Sequence, residues 1–161
     1  MRVTPAFVAA ERDRLLERAD TAVPLCNAVR ADLAECFDVS LPTVTEAEYR
    51  ETIETVFADG ALAVNVAACA ALLRELDVEG DYPGFVVDEL LGRELAAMLA
   101  GAQPFRLLGE ATFHYADVHH DAETAGIDDL DAALAAGVQT RVSGWPWTER
   151  ESPFAVERGE R

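Results

Sequence analysis

Apolar residues recur at helical spacing along most of the chain. A first segment opens at Thr4-Pro5, a capping residue followed by proline at the first helical position, and places Val8, Leu15, Leu16 and Ala19 on one side. Asp20-Thr21 and Pro24 are expected to interrupt it. Leu25, Val29, Leu33 and Phe37 then repeat at strict i, i+4 spacing opposite Arg30, Asp32 and Glu35, and Leu41-Pro42 is expected to end that helix. Thr45-Glu46-Ala47-Glu48 reads as a capping box, in which side chains and backbone satisfy each other's free donors. Tyr49, Ile53, Val56 and Phe57 follow as a buried face. Asp59-Gly60 closes that helix and is placed to cap the next. The segment from Ala61 to about Leu76 is apolar nearly all round, which predicts the central helix of a bundle with Asn65 as a buried polar group. A fifth helix is expected from about Gly84 to Ala100, with Val86, Val87, Leu90, Leu91, Leu95 and Met98 as its apolar set and Gly101 as its terminator.

Residues 104–121 fit two patterns. As a strand, Phe113 and Tyr115 alternate with His114 and Ala116. As a helix, Leu108, Ala111, Tyr115 and Val118 share one face, and this longer pattern is preferred. A short helix from Asp128 to Ala136 follows, with Gly137 as its C-cap. The expectation is therefore an all-α bundle of five to six helices over residues 1–137. A largely irregular arm, 138–161, packs on the domain or on a partner. A short strand or hairpin within 111–120 is the alternative. The chain shows no internal repeat.

Composition supports this picture. A chain of 161 residues buries about two-thirds of its unfolded surface and needs no disulfide or metal to hold a core. Aromatic residues make up only 7% and alanine is abundant, which suits close-packed helices. Cys26, Cys36 and Cys69 sit in apolar helical contexts without a C-x-x-C pair, and read as buried hydrophobes in a reducing compartment.

Charge changes the picture more. Thirty acids face thirteen bases, a formal charge of −17, and every base is arginine. Such self-repulsion strains a compact fold in dilute buffer. In molar salt the screening length shrinks to about 3 Å and the repulsion fades. The composition resembles that of proteins from a molar-salt cytoplasm. Direct nucleic-acid binding is not expected, because it needs clustered positive charge facing phosphates. Neither is a membrane span, nor an N-terminal signal segment. The expected location is cytoplasmic, or within a virion if the gene is viral.

Two constellations carry candidate chemistry. His114, His119 and His120 are interleaved with Asp117 and Asp121. On a helix Glu110, His114, Asp117 and Asp121 line one stripe, where imidazole and carboxylate groups one turn apart can share a divalent metal such as zinc or manganese, or exchange protons. A solvated acidic face is the plainer reading, with no cofactor. His120-Asp121 resembles the centre of an HD-domain phosphohydrolase over those two residues alone, and no upstream histidine completes that pattern. The second constellation is Trp145-Pro146-Trp147 with Phe154, a stiff apolar element suited to a protein partner or to self-association. Alternatively the Trp pair folds back on its own core. The leading expectation is a non-enzymatic interaction or assembly subunit. Behind it come a metal-binding protein or metal-dependent enzyme, and a small helical chaperone or regulator.

Overall fold

The structure is a computed structural model and describes residues 1–77, 87–118 and 125–146. The described residues form seven α-helices and no strand: α1 (Pro5–Glu17), α2 (Ala19–Phe37), α3 (Glu46–Ala58), α4 (Gly60–Glu75), α5 (Val87–Ala100), α6 (Phe105–Val118) and α7 (Ala125–Arg141). The expected all-α bundle is present. Its helix count exceeds five to six, and the alternative strand or hairpin is not seen at 111–118, which is helical. Residues 119 and 120 of that range lie outside the described residues. Among the described residues, no single helix is long and apolar enough to cross a membrane.

Local signals set several helix ends. The Thr4 hydroxyl accepts from the Phe7 N–H at 3.1 Å, and Pro5 fills the first position of α1. The Thr45 capping box forms in both directions, at 3.2 Å and 2.8 Å. Asp59 caps α4 through the Leu62 N–H at 3.1 Å. Pro24 departs from expectation, because α2 runs through it. A proline there removes the bond that would end on the Asp20 carbonyl. Both residues are exposed, so water can solvate that carbonyl. The helix ends instead at Asp38, whose left-handed backbone closes the last turn.

The central helix is α7, not α4. Every residue from 129 to 140 is buried, and α7 packs against α2, α3, α4, α5 and α6. Gly137 lies inside it as a close-packing position, and the helix continues to Arg141. α4 keeps an outer face to solvent, with Val64 at 43% and Leu72 at 45% exposure, and Asn65 on that face is exposed. The sequence hid this arrangement because α7 is the more polar of the two. Each of several buried polar groups there has a specific partner. Arg18 grips Asp131 through Nε at 2.9 Å and Nη2 at 2.5 Å. The Thr140 hydroxyl donates to the Ala136 carbonyl at 2.8 Å, and the Gln139 amide to the Thr140 hydroxyl at 2.9 Å. Likewise Glu11, fully buried on α1, is held by Arg14 and by Arg74 of α4, with Arg74 Nη2 at 2.7 Å.

α6 is helical but rotated from the expected face. Gly109, Thr112, Phe113 and Ala116 point inward, whereas Ala111 and Val118 are exposed. Glycine decides this rotation. A β-carbon at Gly109 would lie 2.6 Å from the Ala100 Cβ and 2.8 Å from the Ala96 carbonyl oxygen of α5. Phe113 in turn fills the notch left by Gly92. A hydrophobic pattern counts neither glycine as a contact.

Candidate functional site

Acidic residues open α5 and α7 and close α6. In the first turn of α5 stand Asp88 and Glu89, in the last turn of α6 Asp117, and near the start of α7 Asp128 and Asp129. The fold brings them together. Asp129, only 5% exposed, is hydrogen-bonded to Asp88, and Asp117 is paired with Asp128. Burial, then the charges of Asp117 and Asp88, pushes the Asp129 carboxyl up to about 8. Burial also raises Asp117, against the lowering effects of the Asp128 hydrogen bond and the His114 charge. A protonated Asp129 therefore donates a hydrogen bond to Asp88 near pH 7. Such an arrangement can hold or pass a proton.

The expected metal stripe is distributed differently. His114 is exposed, and its charge acts on Asp117. Glu110 faces Arg93 at 4.0 Å. His119, His120 and Asp121 lie outside the described residues. Among the described residues, no group of three or more His, Cys, Asp and Glu side chains is set to hold a metal ion. Sequence reasoning missed Asp88, Asp128 and Asp129. Their signal was present in acids at helix starts, which normally serve the helix dipole and so raise no suspicion.

The C-terminal element meets α2 and α6. Trp145 is 1% exposed, and its indole N–H donates to the Gln139 carbonyl at 3.1 Å and to Oε1 of Gln139 at 3.2 Å. Phe37 meets the ring edge-on at 6.1 Å between centroids. The Arg30 guanidinium carbon lies 5.8 Å from the ring centre, so a cation faces the indole. Trp145 thus packs on its own domain. Pro146 is exposed, and Trp147 and Phe154 lie outside the described residues. Leu33, Phe37, Leu108, Ala111 and Tyr115 surround an apolar hollow of about 170 Å³ beside Trp145.

A larger furrow runs between α1 and the α3–α4 corner. Val3, Pro5, Val8, Phe57, Ala63 and Val64 are among its lining residues, and its volume is about 530 Å³. None of its ten lining residues is acidic, and Arg12 is its one charged member. In a chain with thirty acids, such a lining leaves a gap in the acidic coat.

A family model described as "Domain of unknown function (DUF7984)" matches residues 1–158. The chain belongs to this family. The match to DUF7984 runs past α7, so the family's domain takes in the C-terminal element as well as the helices. No curated protein and no solved structure matches the chain.

Proposed function

We propose that this protein is a non-enzymatic assembly subunit that engages a protein partner, or a second copy of itself, through the furrow between α1 and α3–α4. The observation that carries the reading is the furrow's acid-free apolar lining in an otherwise strongly acidic chain. Exposed apolar patches of this kind mark contact sites. A helix presenting apolar side chains at i, i+3 and i+4 suits such a furrow. Molar salt would favour the contact by screening acidic surfaces from one another.

Light scattering of the full chain in molar salt tests self-association. A photo-crosslinker attached to Val64→Cys or Val8→Cys, with the three native cysteines changed to alanine, tests for a separate partner in the native cytoplasm. The expected result is one defined adduct, or a dimer, lost on Val64→Glu. A monomer giving no adduct from either position would overturn the reading.

A second reading, a metal-binding or proton-transfer site in the His114–Asp121 segment, is supported by the closeness of His114 to Asp117, on which its charge acts. His114 and Asp117, with His119, His120 and Asp121 from the neighbouring segment, would supply ligands for zinc or manganese. Titration calorimetry with each metal, on wild type and Asp117→Asn, checks it. Equal heats from the two proteins would exclude the site.

A further inference from the structure

The outer face of α4 carries no charge. From Gly60 to Leu73 no residue is acidic or basic, the longest such run in a chain that is 27% charged. Ala61, Asn65 and Leu72 are exposed, with Ala68 half-buried between them. Their spacing of four, three and four residues is that of a helix–helix seam. Leu72 reaches solvent at 45% exposure. At the other end of the helix, Gly60, Ala63 and Val64 line the furrow beside α1. One helix face therefore carries a projecting apolar side chain at Leu72 and an apolar hollow near Ala61, about 16 Å apart at 1.5 Å per residue.

A face with a knob at one end and a hollow at the other is complementary to itself. Turned about a two-fold axis midway between Asn65 and Ala68, it sets Leu72 of each copy over Ala61 and the furrow of the other. The same rotation places Asn65 opposite Ala68 and brings both Asn65 amides beside the axis, where a polar side chain fixes register. Charge agrees with this pairing. The face ends at Asp59, which is exposed, and at Arg74, whose side chain stays 25% exposed while it holds Glu11. The rotation brings Asp59 of each copy opposite Arg74 of the other. Antiparallel helices also oppose the unlike ends of their dipoles. Two chains of −17 meet at least cost where no acid faces an acid.

We propose that the occupant of the furrow is a second copy of this chain, paired antiparallel through the Ala61–Leu72 face of α4. The pairing rests on the furrow being a contact site and names what fills it. Each copy's Leu72 closes the other's furrow, so the acid-free surface is covered and the acidic surface is left to the solvent.

Light scattering and disulfide trapping of the full chain in molar salt test this, the trapping on a Cys36→Ser background because Cys26 and Cys69 are buried. Wild type should have twice the mass of one chain. Leu72→Glu should have the mass of one, with its circular dichroism unchanged. Under oxidation, Ala61→Cys mixed with Leu72→Cys should give a disulfide-linked dimer. Neither variant alone should, because like positions lie about 16 Å apart along the pair, beyond the reach of a disulfide. A monomeric wild type would overturn the pairing, and an adduct from Val64→Cys to a different protein would then leave the furrow reading standing without it. A dimer that survives Leu72→Glu but is lost on Val64→Glu would also overturn the pairing and spare the furrow reading. So would a dimer in which the mixed variants form no disulfide.

Discussion

Gly137 of α7 lies so close to Leu99 of α5 that a β-carbon there would stand 2.4 Å from the Leu99 Cβ. The Ala96 carbonyl oxygen would be 2.9 Å away on the same side. Glycine is what allows the two helices to cross at this distance. The most buried helix thus depends on a residue with poor helical propensity.

Two effects compete when Gly137 is changed to alanine. Propensity favours alanine by about 1 kcal/mol inside a helix. Overpacking a core costs about 1–3 kcal/mol, and the obstruction here includes backbone, which cannot swing aside. Gly137→Ala is therefore expected to destabilise the protein. Chemical denaturation in molar salt measures it, and a stabilised variant would mean that α5 and α7 are not in contact at this point.

Asp129 gives the stability a pH dependence opposite to that of an ordinary carboxylate. Its ordinary value is 3.8, and in the fold it is about 8. Between these values the folded state holds a proton that the unfolded chain releases. Its contribution therefore declines as pH rises from about 4 and is gone above about 8. Asp129→Asn keeps the shape and a donor toward Asp88. The variant should melt higher than wild type at pH 9 and close to it at pH 5. Melting curves at the two values suffice, and equal differences at both would refute the assignment.

The three cysteines should separate by reactivity. Burial pushes Cys26 up to about 12 and Cys69 up to about 11, and both thiols donate to backbone carbonyls, of Ala135 at 3.5 Å and Leu91 at 3.3 Å. Cys36 is exposed, contrary to the expectation that all three are buried. A thiol reagent at pH 8 should label one site quickly and the other two only after unfolding. Peptide mapping identifies the sites, and rapid labelling of Cys26 would contradict its packing.

Salt tests the meaning of the −17 charge. Helicity should fall on dialysis from molar salt to about 0.1 M, where charges act over about 10 Å. Circular dichroism follows it. An unchanged spectrum would remove salt adaptation as the explanation and make the acidity a pointer to a basic partner.

Much of the helical framework was legible because its causes are local. Thr4-Pro5, the Thr45–Glu48 box and Asp59 each act within one turn of backbone, so the sequence carries them whole. The acidic junction was not legible in the same way. Asp88, Asp117 and Asp129 are far apart in sequence, and each looks like an ordinary helix-end acid until three helices meet. The same holds for Arg30, which reads as the polar side of α2 and becomes buried only when Trp145 and the end of α7 cover it.

By itself, then, the sequence determined the helical class, several helix starts, and the acidic, lysine-free character of the chain. Tertiary structure decided which helix is central, which way α6 turns and which charges are buried. The physical reason is that propensity and capping are properties of neighbours in the chain. Burial is a property of neighbours in space, and in this protein it is set by glycines at helix crossings and by polar side chains whose partners lie several helices away.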